Sequence, residues 1–147
     1  MASMGIMIGR ILLGQIFLLA GIHKIMDWQG MSAYMASQGM PWIPFFLTGA
    51  MLVETLGGLS LILGIQQRIG ALVLTAFLIP ATFIFHDFWT LEDPQRSLQM
   101  IMFQKNLAII GGLILLAVYG PGKLGLDKDK RLKGEFDGVQ AAWPLRP

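Results

Sequence analysis

No cysteine occurs among the 147 residues. The chain therefore carries no disulfide, no paired-thiol redox motif, no thiolate nucleophile and no cysteine-ligated cluster. Any electron chemistry has to come from a bound cofactor, a quinone or a partner. Charge is scarce as well: Asp, Glu, Lys and Arg make up 14% of the residues, against about 25% in soluble domains. Hydrophobic residues reach 54% and mean hydropathy is +0.62, which marks an integral membrane protein. The net charge of +2 does not indicate nucleic acid, because six of the eleven Lys and Arg follow Gly120 and no aromatic-basic surface motif accompanies them. Also missing are a glycine-rich nucleotide loop, a Ser-His-Asp order and a clustered methionine array for copper. His86 has no second ligand three or four residues on, and His23 lies on a different face from the Arg10 stripe, so no metal site is expected.

What is present is apolar sequence in four stretches, and a helix needs roughly 17 to 25 residues to cross a bilayer core. The stretches are Met4 to Ile22, Trp42 to Ile65, Ile69 to Phe85, and one that ends at Tyr119. The uninterrupted part of the last, Leu107 to Tyr119, is only 13 residues. At ~1.5 Å per residue that is too short to span. Extending it back to Leu98 completes the span and places Lys105 and Asn106 about a third of the way into the membrane. Between the first two spans, Met31, Tyr34, Met35 and Gln38 fall at helical spacing, with Asp27 in front and Gly39 and Pro41 behind, which reads as a short interfacial helix. Trp28, Trp42 and Trp89 suit an interfacial belt.

The fold expected is thus all-α: a four-helix transmembrane bundle over residues 1–120, with a short interfacial helix in the first outward connection and a basic tail over 121–147. Arg68 and the tail cations Lys123, Lys128, Lys130, Arg131 and Lys133 fall on one side. By the positive-inside bias, both termini and the tail are cytoplasmic.

Residues three, four or seven apart share a helix face, which sorts the intramembrane polar groups. Arg10, Gly14, Phe17, Gly21 and Lys24 form one stripe, and Glu54 lies beside Gly57 and Gly58 as the single carboxylate within any span. A charge at mid-bilayer costs about 2.5 to 3.5 kcal/mol on insertion scales, so these groups should turn inward and pair. Arg10 and Glu54 are expected to form a buried ion pair that fixes register or relays protons. Lys24 either snorkels to the interface or reaches a ligand. Lys105, Asn106 and His86 are expected to face one outward-opening cavity.

Five segments in order resemble the DoxX family of small four-helix membrane proteins: "GRILLGQIFLLAGIHKIMDW", "MLVETLGGLSLILGIQQR", "FHDFW", "FQKNLAIIGGLILL" and "GPGKLGLD". The resemblance covers nearly the whole chain. It implies a multi-pass protein of the bacterial inner membrane and a redox role near the quinone pool, with a soluble or membrane redox partner. On this basis the chain is expected to be the membrane subunit of a quinone-linked oxidoreductase system. Lys105, Asn106, His86 and Lys24 would bind a quinone or an oxyanion, and no covalently bound cofactor is expected. The rival reading is a non-catalytic scaffold or small-solute transport protein with a structural polar core. Enzyme or not, and homo-oligomer or not, are left open by the residues alone.

Overall fold

The computed structural model describes residues 2–126, so the expected tail lies outside the described residues beyond Leu126. Five α-helices follow one another: α1 (Ala2–Met26), α2 (Trp28–Ser37), α3 (Ile43–Leu63), α4 (Gln67–Phe85) and α5 (Gln95–Tyr119), with a single 3-10 turn at Phe88–Thr90. Four of them are long and apolar enough to cross a membrane, in the places the hydropathy predicts. α2 is the short helix expected between the first two spans. It starts where the Asp27 carboxylate accepts from the Gly30 amide at 3.1 Å. It ends before Gly39, whose φ of +70° closes the turn ahead of Pro41.

Sequence chemistry also sets the span boundaries. Pro44 sits in the first turn of α3, where its missing N–H costs nothing, and Gly64 ends the helix at φ +67° with its amide on the Ser60 carbonyl. Only Ile65 and Gln66 then separate Gly64 from α4, which forces α3 and α4 into an antiparallel pair.

α1 packs most closely on α3, and α3, α4 and α5 follow round the bundle. In lipid, helices associate through close backbone packing rather than hydrophobic burial. Here a Cβ on Gly58 would fall 2.7 Å from the Gly14 carbonyl oxygen and 2.7 Å from the Leu18 amide. Gly21 meets Thr55 in the same antiparallel register. The apolar core gathers Phe17 of α1, Leu61 of α3, Leu74 and Leu78 of α4, and Leu113 and Leu116 of α5.

One end of the bundle, the turn end, holds the start of α1, the α3–α4 turn and residues 120–126. These residues fold back as a strap: the Leu126 amide donates to the Leu63 carbonyl at 3.1 Å, and Gly122 lies against Ile6. The other end carries α2 and the 3-10 turn. Gln67, fully buried, ties α4 to α5 by donating to the Leu116 carbonyl at 3.1 Å.

Candidate functional site

α1 and α4 make no close backbone approach among the described residues, and at the α2 end the space between them is a cavity of about 480 Å³. That lies within the roughly 300 to 1,000 Å³ of small-molecule sites. Its walls are mostly apolar, with Phe17, Phe46 and Phe77 among them, and Met31 and Met35 of α2 form its roof. Pro80 of α4 lines it too, and having no N–H it interrupts the helix ladder beside the space. The polar groups are few: Lys24, Tyr34, Glu54, His86 and Asn106. A second hollow, about 440 Å³ between α3 and α4, faces outward and is lined by Leu56, Leu63, Ile69 and Val73. It has the make-up of a groove for acyl chains.

The expected Arg10–Glu54 pair is not made. Lys24 takes the carboxylate instead, with Nζ 3.0 Å from Oε1 and 2.7 Å from Oε2. Antiparallel register is the reason, because aligning Gly14 with Gly58 and Gly21 with Thr55 brings Lys24 to the level of Glu54 and carries Arg10 to the level of Gly64. Arg10 is 3% exposed, and its Nη2 donates to the Leu124 carbonyl of the strap at 2.6 Å. Within the pair, the Oε1 contact has hydrogen-bond geometry. Oε2 is close enough for attraction but lacks a directed hydrogen bond, and Glu54 is 6% exposed.

Lys105 is a second correction. It lies outside the bundle and does not line the cavity; its ammonium reaches back one turn to the Met102 sulfur at 3.4 Å. Helix side chains lean toward the N-terminal turn, so this posture carries the charge toward the α2 end, as snorkelling requires. The neighbouring residue is rotated about 100° round the helix, and there Asn106 donates from Nδ2 to Thr82 Oγ1 at 3.1 Å. That hydroxyl in turn donates to the Leu78 carbonyl at 2.6 Å.

His86 faces the cavity as expected, held by Gln99 with Nδ1 2.7 Å from Oε1. Since Oε1 can only accept, Nδ1 carries the proton and Nε2 is left as an acceptor. Tyr34 closes the roof, its ring 5.5 Å from that of Phe85 and its hydroxyl donating to the Phe85 carbonyl at 3.4 Å. Burial, and then the nearby Asp87 carboxylate, push the Tyr34 phenol above its ordinary range. The structure thus unites Lys24, Glu54, His86 and Asn106, and leaves out Arg10 and Lys105. It adds Tyr34, Thr82 and Gln99. Of these, Tyr34 and Thr82 lay on faces that periodicity marks; nothing in the sequence singles out Gln99.

A polytopic helical bundle with a charged pair beside a cavity defines the class: a multi-pass membrane protein with a pocket between its spanning helices. The chain belongs to the DoxX family, whose profile matches residues 5–87. It is 35% identical to Inner membrane protein YqjF of Escherichia coli (strain K12) over 126 residues, covering 86% of this chain and 92% of that protein. It is 32% identical to Inner membrane protein YphA of the same organism over 123 residues, 84% of this chain and 88% of that one. These likenesses make it a bacterial inner-membrane protein. Residues 49–133 also match the SURF4 family. Surfeit locus protein 4 homolog of Schizosaccharomyces pombe (strain 972 / ATCC 24843) is 36% identical over 73 residues, 48% of this chain and 24% of that protein. No solved structure matches the chain.

Proposed function

We propose that this protein binds a quinone-pool molecule in the α2-end cavity and serves as the membrane subunit of a quinone-linked oxidoreductase system, with both termini cytoplasmic. The observation that carries the reading is the inventory of unused hydrogen-bonding valences in the cavity wall. Lys24 is paired with Glu54, and Lys105 faces away. What is left over is mixed: His86 Nε2 and Asn106 Oδ1 can accept, and the Lys24 ammonium and the second amide N–H of Asn106 can donate. Such a wall takes a quinol through its hydroxyls and a quinone through its carbonyls, and the apolar remainder of the cavity suits the ring and tail.

A quinol–quinone couple supplies two-electron, two-proton chemistry when bound. The chain's own part is to orient and to accept protons. Glu54, held by Lys24, places its carboxyl group in the cavity wall beside the ring. His86, its Nδ1 proton fixed by Gln99, offers Nε2 as a base. Asn106, anchored through Thr82, positions the ring. Tyr34 and the α2 roof exclude water.

The test is purification followed by solvent extraction and mass spectrometry for bound quinone, with titration of short-chain quinol and quinone into the delipidated protein. We expect co-purified quinone and saturable binding of the added ligand, with at least a tenfold loss in Glu54→Gln. Absence of both co-purification and binding would overturn the proposal in favour of a structural polar core.

A further inference from the structure

We propose that α5 is the contact helix of a two-fold homodimer, and that a second copy of this chain covers its outward face. α5 gives only Leu113 and Leu116 to the buried interior, and Asn106 turns toward α4. Round the helix from these, Ser97, Ile101, Gln104, Ala108, Gly111 and Leu115 are all exposed. Their spacing alternates four and three. That is the seam of a left-handed helix pair crossing at about +20°.

The content of the seam argues for a partner helix rather than acyl chains. Ala108 and Gly111 are small, and the position of a Cβ on Gly111 is open, with nothing within 4 Å. Small residues let a second backbone approach, and close packing is the main attraction between helices in lipid. Gln104 makes no side-chain hydrogen bond among the described residues, although it sits roughly two turns inside the apolar stretch that begins at Leu98. A hydrocarbon tail offers its amide nothing, and an amide so placed is costly unless another helix answers it.

A second copy answers it by symmetry. Two copies inserted in the same orientation pack in parallel about an axis normal to the membrane. Each seam residue then meets its own counterpart. Glutamine carries a donor and an acceptor and is its own complement, so Gln104 pairs with Gln104 while Ala108 and Gly111 bring the backbones together. Lys105 borders the seam with its ammonium drawn toward Met102, so the two charges flank the contact without facing each other. This inference is independent of the ligand reading, since the cavity lies on the other side of α5.

The absence of native cysteine makes the test direct. Ala108→Cys, oxidised in native membranes, should give a disulfide-linked species of twice the 16.2 kDa chain mass. Leu72→Cys, on the exposed face of α4, should not. Adding Gln104→Leu or Gly111→Leu should cut the Ala108→Cys dimer at least fivefold, and both changes leave an exposed position more apolar, so insertion is preserved. Single-molecule photobleaching of the tagged natural chain in liposomes should show two steps. Dimer yield no higher than the Leu72→Cys control, a cross-linked product of another mass, or indifference to Gln104→Leu would each overturn the proposal.

Discussion

At the turn end of the bundle a buried cation meets a backbone carbonyl; at the α2 end one meets a carboxylate beside a cavity. Arg10 donates to the Leu124 carbonyl under a strap that also hydrogen-bonds α3, its Nε and Nη1 buried without a hydrogen-bond partner among the described residues. Lys24 and Glu54 pair where α1 and α4 stand apart, with the carboxyl group in the cavity wall. The contrast separates two uses of intramembrane charge. Where every wall is protein and the partner is main chain, the charge fastens the fold. Where the partner is a titratable group beside open volume, the charge is available to a ligand.

The contrast can be broken at its root through the α1–α3 glycine seam, which sets the register for both ends. At Gly58 the obstacle to a side chain is backbone, which cannot step aside. Gly58→Leu should therefore cost at least the upper part of the roughly 1 to 3 kcal/mol of overpacking. We expect loss of the monodisperse detergent-solubilised species in size-exclusion chromatography, with both cation pairings lost together.

Glu54→Gln tests the cavity end alone. It leaves Lys24 without a countercharge at a cost of up to about 3 kcal/mol on insertion scales, less as the ammonium reaches the interface. Thermal unfolding should shift down accordingly, and adding Lys24→Met should restore much of the loss because no lone charge is left. Ligand binding should stay lost in the double variant. If the double variant regains binding, the pair is structural and the two ends do not differ in kind.

Arg10→Met tests the other end. Hydrogen bonds to charged groups contribute about 1.5 to 3 kcal/mol, and removing the guanidinium also relieves its burial, so a net loss of about 1 to 2 kcal/mol is expected. Quinol affinity should stay within twofold of the natural chain. A tenfold fall would show that the turn end communicates with the cavity. The smallest effect belongs to Lys105→Met, which should change neither thermal stability nor cavity binding measurably, because the ammonium faces away from the bundle.

Much of the fold was legible in the sequence because bilayer thickness and helix rise together dictate length. The four spans and the interfacial helix follow from hydropathy, Pro and Gly alone, each within a few residues. The site was legible only by depth. Helical periodicity tells which residues share a face of one helix and says nothing about the register between two. It therefore put Arg10 and Glu54 on plausible facing surfaces, while the Gly14–Gly58 contact brought Lys24 to the carboxylate. Lys105 and Asn106 show the same limit in azimuth: one step of about 100° round the helix turns the amide inward and the ammonium out. His86 stands out in sequence because it closes an apolar span, and it lines the cavity; Gln99, which holds it, belongs to a polar stretch with no periodicity to read.

The strap also imposes an order on biosynthesis. Arg10 belongs to α1, made before α3, α4 and α5, yet the carbonyl it needs belongs to Leu124, after α5. Through the insertion of α3, α4 and α5 the guanidinium has no final partner, and water or lipid headgroups at the membrane surface must hold it. The first helix is thus settled only when the end of the last has been made. A nascent chain that stalls before Leu124 leaves the Arg10 guanidinium without that carbonyl.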